Sequence, residues 1–494
     1  MTDAVAATPP SVGEAAPLPP AASEGHRTVA VRPMGPTAPA GDSTGGVPNP
    51  SEAPAPGGPA GPAGGSAAAP SLWRQRAFVV LWLARIVSVA GGMASTIAIQ
   101  WWVLSSTGSA QWMATVNAVI TLVMALVGVP AGVLVDRWHR GRFFLALEVG
   151  RGVVMSVLAA LLFTGQATLP AVLALLAVDA AGLALFMPLS SALWPELVPP
   201  HQLAAANGLV ATGESMGRIL GPAIGGLLAS RHPGWATLAD AVSYALSAVA
   251  ILAAGALAWK APRRRGQPAK EAREGSFAAQ FREGWAAVFG RPDLRPFFLL
   301  VSVLNLVFSA AFVLIPVVVR EVLHGGPQAL GWLHAAFAVG AVTGGLLAGS
   351  GRVPRRSRSW VLLVIVQAAL GVVLGTSRWL AASVVAGWAF GLVNTLVNVA
   401  VTTILQEDVV ADLRGRVFGL LFTVAMILQP LGQMAGGVLA DRVPLPVIFT
   451  ATALLTVVVM GVAWWRSPAL RVLLDRRRAV SGPANRAPAG EVGA

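Results

Sequence analysis

The chain has 494 residues, of which 55% are hydrophobic and only 12% charged, with a mean hydropathy of +0.68. A soluble domain carries about twice that charged fraction, so the composition selects a polytopic membrane protein with the lipid bilayer as its solvent. The net charge of +13 is spread over short gaps between apolar runs, which argues against nucleic-acid binding, and the absence of cysteine excludes disulfides, thiolate metal sites and iron–sulfur clusters.

Residues 1–72 read as a disordered tail. The first 70 residues hold 15 prolines among Ala, Gly and Ser, too little apolar surface to offset the entropy of ordering. Twelve apolar segments follow, each near the roughly 20 residues a membrane helix needs. They span 77–103, 112–135, 143–164, 169–194, 205–229, 236–259, 296–319, 329–349, 359–377, 380–403, 416–440 and 445–465. The longest gap divides them six and six. The expected domains are therefore a bundle at 73–259, a basic linker at 260–295, a second bundle at 296–466 and a tail at 467–494. Within the linker, Phe277, Phe281, Trp285 and Val288 recur at helical spacing, consistent with an amphipathic helix along the membrane surface or with a plain charged linker.

Arg and Lys set the orientation. Nine fall between Lys260 and Arg295 alone, whereas the odd-numbered gaps carry only Arg231, Arg320, Arg378 and Arg442. This asymmetry predicts both termini in the cytoplasm and a multi-pass protein of the cell (inner) membrane. Lysine occurs only at Lys260 and Lys270, neither after glycine, so a Gly-Lys-Ser/Thr phosphate loop is absent and the chain does not read as an ATP-hydrolysing pump. No cofactor, metal cluster or catalytic constellation is legible, and the chain does not read as an enzyme.

The two halves repeat. Leu220-Gly221-Pro222-Ala223-Ile224-Gly225-Gly226 aligns on Leu431-Gly432-Gln433-Met434-Ala435-Gly436-Gly437, 211 residues later. Duplicated halves suggest a site between them that is exposed alternately to each side of the membrane. In segment 5, Gly213, Gly217, Gly221 and Gly225 recur every four residues and leave one helix face nearly bare, while Pro222 removes a backbone donor. Such a face serves either as a sliding or bending seam or as ordinary small-residue packing.

Gly217-Arg218-Ile219-Leu220-Gly221-Pro222-Ala223-Ile224-Gly225-Gly226 resembles the antiporter motif of major facilitator superfamily exporters. Gly132-Val133-Leu134-Val135-Asp136-Arg137-Trp138-His139-Arg140 resembles the family signature after its second helix. The run from Phe186 through Trp194-Pro195-Glu196-Leu197-Val198-Pro199 to Asn207 is similar to the macrolide-efflux and siderophore-export branch, as is Arg414-Gly415-Arg416-Val417-Phe418. The resemblance covers roughly residues 75–466. It implies an all-α membrane protein of twelve transmembrane helices in two pseudo-symmetric six-helix bundles, working as a monomer, with segments 1, 4, 7 and 10 around the cavity. It also assigns Asp136, with Arg137 and Arg140, to gating of the cytoplasmic side. Asp136 follows directly on segment 2, where a carboxylate accepts bonds from the amides of a neighbouring helix terminus.

Ionisable residues inside apolar spans each cost roughly 2.5–3.5 kcal/mol at mid-membrane, so they mark function. The first half holds Arg85, Glu148, Arg151, Asp179, Glu214, Arg218 and Asp240. Glu214 and Arg218 are four apart and Glu148 and Arg151 three apart, so each couple can pair along its own helix. Asp179 has no arginine at helical spacing, which makes it, with Glu214, the expected site of proton coupling or cation binding. Asp240 lies about a turn inside the expected outer end of segment 6, where solvation at the rim is the plainer reading, and Tyr244 is on the same face. The second half carries amides instead, including Asn305, Gln367, Asn394 and Asn398. By resemblance, Arg85, Asp179, Asn305, Asn394 and Asn398 surround one space, charged on one wall and hydrogen-bonding on the other. Interhelical bonding alone, worth about 0.6 kcal/mol each, also accounts for the amides.

The expected function is export of a small amphipathic compound, such as an antibiotic or siderophore, in exchange for protons. Uptake or facilitated diffusion of a small metabolite, and a non-transporting receptor or scaffold on this fold, are the alternatives.

Overall fold

The computed structural model describes residues 72–137, 139–255, 277–351, 357–409 and 411–475. The expected N-terminal tail, most of the linker before Phe277 and the chain beyond Asp475 lie outside the described residues. Among the described residues every regular element is helical. The first half comprises α1 (Arg76–Thr107), α2 (Ala110–Arg137), α3 (Arg140–Phe163), α4 (Leu169–Leu197), α5 (Leu203–Arg231) and α6 (Pro233–Ala253). After α7 (Phe277–Phe289) come α8 (Leu294–Phe312), α9 (Ile315–Glu321), α10 (Pro327–Gly349), α11 (Ser357–Thr376), α12 (Leu380–Asp408), α13 (Ala411–Ala440), α14 (Leu445–Arg466) and α15 (Pro468–Asp475).

Local chemistry explains the boundaries. Proline stands at the first or second position of α4, α6, α9, α10 and α14, where its missing N–H costs nothing. Gly108 ends α1 in the left-handed conformation, at φ 66°, its N–H on the Leu104 carbonyl. Segment 7, read as continuous, is broken after Phe312. Pro316, lacking an N–H, opens α9, and the two pieces together make one membrane-length stretch, Leu294–Glu321. Among the described residues, eleven stretches are long and apolar enough to cross a bilayer. The twelfth span, α5, has 29 residues and is diluted by Asn207, Glu214, Arg218 and its glycines.

Two six-helix bundles result. In the first, α1 packs on α5 and α6, α3 on α6, and α2 on α4; in the second, α8 packs on α13, α10 on α12, and α11 on α12 and α14. Two helix pairs join the bundles, α5 with α10 and α13 with α2. The 211-residue repeat maps onto this arrangement. A Cβ on Gly225 would lie 2.5 Å from Ala94 of α1, and one on Gly436 would collide with Ala310 of α8, the equivalent contact in the second half. Gly226 faces Pro327 and Gly331 of α10, and its counterpart Gly437 faces Ala110 and Ala114 of α2. Large apolar side chains such as Val249, Leu346, Leu362 and Leu454 are exposed on the helix surfaces, as lipid contact requires. Among the described residues, Trp379 and Trp465, at helix ends, are the most exposed tryptophans, where an aromatic belt places them.

The helix expected between the halves is present as α7, but it packs on α13 and α8, with Val288 buried against both. Gly284 sits against the Arg416 backbone and Glu283 pairs with Arg416 at 2.9 Å. The sequence reading ended the second bundle at residue 466, yet α15 continues it and buries Leu470 against α8 and α11. Eight residues are too few for periodicity to announce such a helix.

Candidate functional site

A cavity of about 390 Å3 lies inside the first bundle. Its wall includes Arg85 from α1, Arg151 from α3, Asp179 from α4, Arg218 from α5 and Asp240 and Tyr244 from α6. Arg151 donates from Nε to one Asp179 carboxylate oxygen at 2.9 Å and from Nη2 to the other at 3.1 Å, a two-pronged bond. The Arg151 guanidinium also lies over the Tyr244 ring, 4.5 Å from its centroid. Arg85 donates to Glu214 at 2.8 and 2.6 Å and lies over Phe186.

These pairs correct the in-helix expectations. Asp179, read as lacking an arginine, has one from the neighbouring helix. Arg151 takes Asp179 rather than Glu148, and Glu214 takes Arg85 closely, with Arg218 at 3.8 Å and its side chain 56% exposed. Spacing along one helix reports only same-helix partners, and here shorter bonds form across helices. Glu148 is left with neither carboxylate oxygen hydrogen-bonded by any described residue, at 1% exposure. Asp240 is not solvated at a rim. It is 2% exposed, under Gly91 and Gly92 of α1, with the Ser243 hydroxyl at 3.4 Å.

The amides of the second half line a separate cavity of about 290 Å3 among α8, α11, α12 and α13, where Asn305, Gln367, Asn394 and Asn398 are brought together. Asn398 donates to the Asn394 backbone and side-chain oxygens at 2.8 and 3.2 Å. The expected single space is thus two cavities, one acid–base and one amide, because Asn305 and Asn394 turn toward Trp360 and Gln367 of their own bundle. Gln100 and Asn117, which also line the first cavity, were missed. They carry the same signal, an amide within an apolar span, and Gln100 donates to Asn117 at 3.4 Å.

The glycine stripe sorts by partner. Gly213, Gly217, Gly221 and Gly225 all face α1 inside their own bundle, whereas Gly226 and the Pro222 carbonyl meet α10 across the bundle interface. That interface is shut at one end. Asp441, at the end of α13, accepts from the Ser109 hydroxyl at 2.6 Å and the Ala110 N–H at 2.8 Å, capping the start of α2. Gln328 of α10 donates to Ser230 of α5 at 3.0 Å, and Arg320 donates to the Leu104 carbonyl of α1. The side chains of Asp136, Arg137 and Arg140, expected at the opposite end of the same four helices, lie outside the described residues.

Duplicated helical bundles that enclose a charged cavity and close at one end have the build of a membrane transporter. The chain matches the Major Facilitator Superfamily over residues 81–432 and belongs to that family. It is 29% identical to the multidrug efflux pump Tap of Mycobacterium tuberculosis, over 81% of this chain and 95% of that protein. It is 26% identical to macrolide efflux protein A of Streptococcus pyogenes, over 75% and 91%. A bacterial homologue of the lysosomal transporter Spinster, solved inward-facing and unoccupied, superposes with a TM-score of 0.59 at 18% identity, covering 82% of this chain and 98% of that one. The nucleoside transporter NupG does so with a TM-score of 0.57 at 12% identity, covering 79% and 98%.

Proposed function

We propose that this transporter exports a small amphipathic compound of the antibiotic or drug class from the cell by alternating access, in exchange for protons. The observation that carries the reading is the first-bundle cavity, with the Arg151–Asp179 pair on its wall, in a molecule whose two bundles are bonded together at one end. The relatives that are efflux pumps support the direction. The Arg and Lys asymmetry favours the end opposite those bonds as the cytoplasmic one, in the inner membrane of the cell, so we read the state described as open inward. Both termini are then cytoplasmic, and the protein acts as a monomer. Residues 1–72 and 467–494 are its tails, and 260–295 links the bundles.

Amphipathic molecules suit this cavity because Met113, Met124, Met155 and Met187 share its wall with the charges. A cationic group entering there competes with Arg151 for Asp179 or with Arg85 for Glu214. Outward opening breaks the Asp441 cap and the Gln328–Ser230 bond, while Asp136, with Arg137 and Arg140, holds the cytoplasmic end. Gly226 and Pro222 let α5 slide on α10 as this happens, while Gly213, Gly217, Gly221 and Gly225 hold α5 against α1. One charge moving through about 150 mV supplies roughly 3.5 kcal/mol, enough for a gradient of a few hundredfold.

Cells expressing the chain, challenged with a panel of macrolides, other antibiotics and cationic dyes, are expected to gain resistance to part of the panel and to lose the gain with Asp179→Asn plus Glu214→Gln. Unchanged sensitivity throughout refutes drug export. A gain that survives both substitutions removes those acids from the mechanism.

A further inference from the structure

Arg85, Arg151, Asp179, Arg218 and Asp240 line the first cavity, Glu148 and Glu214 stand outside its lining, and their pairing leaves a remainder. Arg85 is spent on Glu214, Arg151 on Asp179, and Arg218 points largely to the open space. Among the described residues no cation pairs with Glu148 of α3 and no hydrogen bond within normal geometry reaches either of its oxygens, although it is 1% exposed. A carboxylate so placed carries a large desolvation cost when ionised. The groups around it are few. Arg151 lies one turn along on α3, the Ser247 hydroxyl faces it from α6, and Asp179 of α4 and Arg85 of α1 stand further off. Asp240 and Tyr244 of α6 also act on Arg151 and Glu148 electrostatically, and α2 has no titratable residue between Ala110 and Val135.

We propose that Glu148 carries the transported proton and that Arg151 expels it by turning from Asp179 to Glu148. The inference rests on the proton-exchange reading above and names its acid. Arg151 is within reach of both carboxylates, since Glu148 and Arg151 share a face of α3 at three-residue spacing. When a cationic substrate group takes Asp179, Arg151 is released and pairs with Glu148. The O–H bond of Glu148 breaks, its electron pair stays on the carboxylate, and the proton leaves to the cavity water. After the substrate departs on the other side, Asp179 recaptures Arg151 and Glu148 takes a proton from that side. One arginine shared by two acids therefore makes occupancy by substrate and by proton mutually exclusive.

Infrared spectroscopy of the purified full chain, without ligand, tests this directly. The wild type at neutral pH is expected to show the C=O stretch of a protonated carboxyl that shifts in heavy water. Glu148→Gln should remove the Glu148 component of this absorption, and Asp240→Asn, at the other buried acid without a paired cation, should retain that component. Asp179→Asn should also abolish it, because the freed Arg151 then holds Glu148 ionised and weakens its proton binding at least about tenfold. A band unchanged by Glu148→Gln, or by Asp179→Asn, overturns the proposal. If Glu148→Gln does not fold, the Asp179→Asn result alone decides. The proton-exchange reading fails separately, by ethidium transport in proteoliposomes that ignores an imposed pH gradient while the band is intact.

Discussion

Arg151 holds three partners at once, the two oxygens of Asp179 and the face of Tyr244. Deleting it leaves two acids near one another without a cation, whereas deleting Asp179 leaves an arginine with a second acid one turn away. Arg151→Gln is therefore expected to cost about 3–5 kcal/mol of stability, as breaking a buried pair does, and Asp179→Asn only about 1.5–3 kcal/mol. Chemical unfolding in detergent measures both, and equal losses contradict the shared-arginine geometry. At the membrane edge, Asp293 caps α8 and accepts two bonds from Arg291, which in turn donates to the Asp408 carbonyl of α12. The Arg291 bonds hold the Asp293 carboxyl below its ordinary range. The unfolded chain then binds this proton more tightly than the folded one. The pair's contribution is present above about pH 4 and lost as pH falls through the lower, folded value. Asp293→Asn should reduce the fall in melting temperature between about pH 6 and pH 3, and an identical fall in the variant counts against the pair.

At the scale of helices, the proposed alternating access makes the pairs α5–α10 and α2–α13 the hinge and the seal. Their shut end is held by one capping carboxylate and a few hydrogen bonds, each worth about 1 kcal/mol, so the closed state is stable yet reversible. The chain has no cysteine, which makes the seal easy to probe. Ser230→Cys with Gln328→Cys is expected to cross-link in the inward-open state and to arrest transport until reduced. Failure to cross-link, or full transport while cross-linked, rules out opening at that end. The spacing of Gly213, Gly217, Gly221 and Gly225 revealed a bare helix face, and their neighbours reveal what it is for. Four of these glycines build the bundle, and only the next one, Gly226, together with Pro222, meets the other half.

For the whole molecule, the proposed transport is assigned to the two bundles and their link. Deleting residues 1–70 should leave drug resistance intact, and its loss would give the tail a part in the function that the helices lack. Class, span positions and the duplication were legible in the sequence because hydropathy and repeat spacing are properties of contiguous residues. The membrane environment reads them one segment at a time. The same reading found every acid and arginine of the first cavity, since a charge in an apolar span is conspicuous wherever it packs. Which carboxylate meets which arginine was decided only by the tertiary structure. Asp179 and Arg151 are 28 residues apart and Arg85 and Glu214 are 129 apart, and helix-on-helix packing brings each couple within a bond length of choice. Likewise only packing separates the amides into their own cavity and leaves Glu148 buried without a paired cation among the described residues, because a partner in space leaves no mark on the spacing within a helix.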